Sequence, residues 1–216
     1  MLFIKFKIED SKKYQDFLKL YHHMVAVREP NFQFEEESVP EIDWDNLSEI
    51  ETKAALEKID EFFDEDPEDR RYKKIFPKYA DEFLKSYIKS DAEIAGAYGF
   101  DIKGIFNYLE FSFEVNFDAL KPLKNDVNLI EFSTGNYPFG GLERFIMTLK
   151  AFDLIPLECF DGFNVFKFDW TSEFTYQTIA LSEKTKLHKE GKDIHIQEES
   201  KHNHNQSWWR KILSKF

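Results

Sequence analysis

The dominant spacing of apolar residues differs between the two halves of this 216-residue chain, and that difference constrains the fold more than any other feature. Between Tyr14 and Ile88 apolar side chains recur at three- and four-residue intervals, which gathers them on one face of a helix. From Leu109 to Phe117 they recur at every second residue, which places them on one face of a strand, and further strand-like segments follow. Helices are thus concentrated early and strands late, with one further strand at the start. Such a block order departs from the regular alternation of a doubly wound fold. The expectation is an α+β fold: a mostly antiparallel sheet of about five strands, an N-terminal helical block and one late helix.

Ile4, Phe6 and Ile8 alternate with Phe3, Lys5 and Lys7, the pattern of an opening strand over 2–8. Tyr14, Phe17, Leu18, Tyr21 and Val25 predict a helix over 12–28, with Asp10 or Ser11 as N-cap and Pro30 preventing continuation. No period is visible from there through Pro40, which reads as an acidic loop. Ser48 and Glu51 have capping-box spacing at the head of a second helix, whose apolar stripe of Leu47, Ile50, Ala54, Ile59, Phe62 and Phe63 is irregular. A third helix starts near Pro67 and runs through the stripe from Tyr72 to Ile88, with a kink expected at Pro77.

Leu109, Phe111, Phe113, Val115 and Phe117 alternate with polar residues and predict a strand over 108–117. A second strand over 128–133 follows after about ten residues containing Pro122 and Asn125-Asp126, so the two should pair antiparallel. Leu142, Phe145, Ile146, Leu149 and Phe152 mark the late helix. Segments 157–160 and 163–170 flank Asp161-Gly162, which reads as a type I′ hairpin closing the sheet. The folded domain is expected to span 1–181, followed by a mobile polar linker over 182–207 and an aromatic, basic tip over 208–216.

Charge is distributed unevenly. Residues 35–69 hold sixteen Asp and Glu against Lys53 and Lys58, a formal −14 compared with −12 for the entire chain. Residues 183–216 carry a formal +3, so the remainder is nearly neutral. This polarity disfavours nucleic acid as a partner and suits a basic protein surface. Glu57, Asp60, Glu61, Asp64 and Glu65 are the expected contacts; a solvated face kept for solubility is the alternative. In the tip, Trp209, Ile212, Leu213 and Phe216 share one helical face, with Trp208 beside them and Arg210, Lys211 and Lys215 among them. That pattern predicts docking on the protein's own surface, on another protein or, weakly, on a membrane.

Apolar residues make up 42% of the chain, enough for a core, yet no run is long enough to span a bilayer. The apolar start is interrupted by Lys5 and Lys7, which argues against a signal peptide. The single cysteine, Cys159, cannot form an internal disulfide, so a reducing compartment, the cytoplasm, is expected. A high share of Phe, with Lys, Ile and Asn also common, fits an A+T-rich coding sequence, as in many bacteria.

No segment carries a catalytic signature or a family resemblance. The loop over 133–141 opens a helix and could hold an anion through Ser133, Thr134, Gly140 and Gly141, but it matches neither the P-loop nor the dinucleotide pattern. Cys159 reads as a small buried hydrophobe. Asp64, Asp66 and Glu68 fail as a calcium loop, because Asp69 stands at its sixth position and Ile75 at its twelfth. His188, His195, His202 and His204 lack accompanying cysteines, and no metal or cofactor is expected. The sequence favours a non-enzymatic acidic protein that binds another protein, an immunity-type inhibitor or an adaptor. A small-molecule enzyme or sensor using the 133–141 loop is the alternative. Oligomeric state is not set by these features.

Overall fold

β1 (Leu2–Ile8) runs through the middle of a single sheet. The computed structural model describes residues 1–34, 41–95, 102–112, 114–133 and 142–195. Within them the other strands are β2 (Asn116–Pro122), β3 (Val127–Ser133), β4 (Leu154–Phe160), β5 (Val165–Trp170) and β6 (Tyr176–Ala180). Their order is β2-β3-β1-β4-β5-β6, and every neighbouring pair is antiparallel. The helices are α1 (Ser11–Ala26), α2 (Glu49–Asp64), α3 (Pro67–Ile75), α4 (Lys78–Ala95), α5 (Ile102–Asn107), α6 (Leu142–Ala151) and α7 (Ser182–Lys189). The fold is α+β. Because β3 and β4 both flank β1 antiparallel, they run parallel to each other and are joined through α6.

Leu2 to Phe6 are all buried, so both faces of β1 are covered. On one face Phe6 meets Phe17 of α1, and Phe17, Phe76 and Tyr79 close around Phe152 with centroid distances of 5.5–6.2 Å. Ala80 and Leu84 of α4, with Phe145, Ile146 and Leu149 of α6, complete this layer. On the other face the edges of His188 and His195 rest on Phe3 at 5.2 and 4.7 Å.

Several sequence expectations are met closely. The Asp10 carboxylate caps α1 by accepting from the Lys12 and Lys13 amides, and Ser48 with Glu51 forms a complete capping box on α2. Pro77 separates α3 from α4 instead of kinking one helix, because its ring cannot follow a helical residue at Phe76 without a clash.

Four further expectations need correction. The segment around 108–117 is mostly not a strand: α5 continues into a π-helical turn over Tyr108–Ser112, and β2 begins only at Asn116. Ile105, Phe106 and Leu109 also satisfy helical spacing, and all three are buried. Second, the type I′ geometry belongs to Asn125-Asp126, both at φ 58°, with the Val127 amide donating to Lys124 O. Asp161-Gly162 lies in a longer loop in which only Gly162 has positive φ and the Asp161 carboxylate accepts from the Phe163 and Asn164 amides.

Third, β5 does not close the sheet, because β6 pairs along its far side. Fourth, the segment after 181 is not simply a linker. α7 docks on the sheet, where the Thr185 hydroxyl accepts from Val165 N at 2.9 Å and donates to Leu181 O, and Ile194 is buried.

Candidate functional site

Among the described residues, α2 is the one long helix with no buried residue. All sixteen of its residues are at least partly exposed. Of the apolar stripe read from the sequence, Ile50 and Phe63 are 83 and 68% exposed while Leu47, Ile59 and Phe62 are half-buried, and Leu56, outside that stripe, is 49% exposed. Thr52, Ala55, Ile59 and Phe62, spaced at threes and fours, are the half-buried side of the helix. Soluble chains seldom leave several large apolar groups on one exposed helix without a use.

The acidic positions add a second anomaly. Glu61 and Asp64 sit in the last turn of α2, where the negative end of the helix dipole disfavours them, and no basic residue of that turn offsets them. Compensation comes from α3. The Arg70 guanidinium donates to Phe62 O at 2.7 Å and to Glu65 O, and lies 4.3 Å over the Phe62 ring. Lys73 pairs with Glu65 at 2.6 Å. Arg70 therefore satisfies carbonyls that the helix end leaves without partners.

Between α2 and α3 lies an open groove of about 550 Å³. Glu57, Asp60, Glu61, Asp64 and Glu65, the five carboxylates singled out from the sequence, all line it. Asp69 and Lys73 of α3 complete the lining. A second groove of about 530 Å³ shares Glu65, Asp69 and Lys73 and continues toward Tyr72, Phe76 and Asp81. Sequence reasoning missed Lys73, Asp69 and the exposure of Leu56 and Phe63. The spacing of Arg70 and Lys73 just past an acidic helix end was the available signal for the clamp.

A buried ionic cluster braces the helical layer from which α2 projects. Both oxygens of Glu110, on the π turn, accept from Arg71 at 2.9 Å, and Oε1 also lies 2.7 Å from His23 Nε2. Burial pushes the Glu110 carboxyl up, but the His23 and Arg71 contacts outweigh it and leave the pKa below the ordinary value. Arg28 holds the same turn by donating to Met24 O, Leu109 O and Val115 O, and its burial lowers its pKa to about 10. With both carboxylate oxygens occupied, Glu110 is a brace more than an acid–base group.

Cys159 is buried, and burial pushes its thiol pKa well up, so it is held protonated and unreactive. Ser133 closes β3 with its hydroxyl donating to Asp118 at 3.3 Å. Thr134, Gly140 and Gly141 lie outside the described residues, as do His202, His204 and the tip residues Trp208, Trp209, Ile212, Leu213 and Phe216. Among the described residues no group of three or more His, Cys, Asp or Glu is arranged to hold a metal ion, and no helix is long and apolar enough to cross a membrane.

No family model matches this chain, and comparison with curated proteins and with solved structures finds no significant match.

Proposed function

We propose that this protein is a binding module that docks a basic, amphipathic segment of another protein on α2, in a reducing compartment such as the cytoplasm. The observation that carries the reading is a sixteen-residue helix with no buried residue, on which exposed Leu56 and Phe63 adjoin a row of carboxylates. Covering the exposed part of Leu56 and of Phe63 contributes about 1 to 2 kcal/mol each, while the carboxylates select a cationic partner and speed its approach. Acidic residues at the negative end of a helix cost the fold something, and complementarity to a cationic partner accounts for them better than solubility of a nearly neutral body does. Such a face suits an inhibitor that covers a basic surface or an adaptor that grips one.

The test compares the wild-type chain with a variant carrying Glu57→Lys, Asp60→Lys, Glu61→Lys, Asp64→Lys and Glu65→Lys. Proteins captured from the source cell by the first and not by the second would be purified and titrated against both. The proposal expects affinity to fall by about 100-fold or more on reversal and to fall with added salt. Equal affinity for both chains would return the acidic segment to the role of a solvated face.

A further inference from the structure

The two edges of the sheet are built differently. On β2 the outer edge is guarded: Pro122 removes a donor, Asp118 and Lys121 add charge, and the pairing with β3 shifts register between Phe117 and Ala119. β6 has none of these devices. Its residues Tyr176, Gln177, Thr178, Ile179 and Ala180 carry no charge, and all but Tyr176 are exposed.

The direction of its backbone groups follows from the bonds it makes to β5. Leu181 N donates to Val165 O, and Thr175 O accepts from Thr171 N, so the odd-numbered residues face β5. Backbone groups alternate sides along a strand, which leaves the N–H and C=O of Tyr176, Thr178 and Ala180 directed outward. Among the described residues nothing pairs with them.

We infer that two copies of this chain join edge to edge through β6, as a two-fold dimer with one continuous twelve-stranded sheet. Antiparallel pairing centred on Thr178 places Thr178 opposite itself and Tyr176 opposite Ala180 of the other copy. Thr–Thr is a favourable cross-strand pair, and a large ring opposite a methyl leaves room for both. Tyr176 is already held against Phe168 and Trp170, at 5.0 and 4.9 Å, so its backbone is presented in a fixed position. The outward groups of these three residues then supply about six hydrogen bonds between copies. A guarded β2 blocks the head-to-tail alternative of β6 on β2, which would propagate into a filament, so the assembly closes at two. The acidic segment lies elsewhere, and two chains of net charge −12 repel each other at long range. Dimerisation should therefore strengthen with salt, the reverse of partner binding on α2.

Sedimentation equilibrium of the full chain over a wide concentration range tests this. The mass is expected to rise from 25.8 kDa toward twice that value, and further as salt is added. Thr178→Pro removes an outward donor without touching the ladder to β5, and Thr178→Lys sets two cations face to face; each should shift the dimer constant at least tenfold toward monomer with an unchanged circular dichroism spectrum. Thr178→Cys should oxidise to a cross-linked dimer faster than Ser172→Cys, since directly paired positions lie about 5.5 Å apart between Cα atoms. A wild-type chain that stays at 25.8 kDa throughout, or a dimer indifferent to both substitutions, would overturn the inference.

Discussion

Glu110 has its carboxylate almost wholly out of water, and its charge is stable only because His23 and Arg71 face it. Glu110→Gln should destabilise the protein by about 3 kcal/mol, because the paired charge-assisted bonds from Arg71 and the contact with His23 lose their buried carboxylate. Urea unfolding of both chains at neutral pH measures this. The pKa of Glu110 is lowered in the folded state, so its contribution is complete above the ordinary value of 4.5 and fades as pH falls through the lower folded value. The gap between wild type and variant should accordingly narrow below pH 4.5. In the sequence, Glu110 looks like the polar, outward member of an alternating strand. Nothing local reveals that a π turn swings it inward, since that depends on Arg71 from another helix. The turn at Asn125-Asp126 is the opposite case: its residue types announce positive φ. Asp126→Gly should stabilise by about 0.5 to 1 kcal/mol, seen as a higher denaturation midpoint with unchanged cooperativity.

Among the elements, those with one dominant period were legible and those with two compatible periods were not. The repeats from Phe17 to Met24 and from Phe145 to Leu149 admit only a helix, and β1 admits only a strand. Between Ile102 and Phe117 both periods fit, and burial of Ile105, Phe106 and Leu109 selects the helix. β6 was missed because a short, exposed edge strand needs no apolar alternation, and α7 because it docks largely through polar residues, the Thr185 hydroxyl on Val165 N, Lys184 on Glu158 and the His188 ring on Phe3 and Phe160. For α2 the sequence revealed the helix, its cap and the five carboxylates that line the groove beside α3, but not that Leu56 and Phe63 face solvent. That exposure makes a sharp expectation: Leu56→Ser and Phe63→Ser should each change folding stability by no more than about 0.5 kcal/mol, whereas Leu84→Ala on α4 should cost about 2 to 5 kcal/mol. Arg70→Ala should loosen α2 alone, read as faster amide exchange over 49–64 with the protection of β1 and β4 unchanged.

For the whole molecule, a sheet braced by helices holds out one acidic helix that contributes little to the core. The most direct test places a photoreactive residue at position 56 or 63 of the full chain and, as a control, at position 167 on β5. Irradiation in the source cell should join positions 56 and 63 to one protein with a basic amphipathic segment, and position 167 to none. Reversing the five acidic residues should abolish that product. Cross-links that are absent from α2, or that survive the reversal unchanged, would contradict the claim that this helix is the docking element.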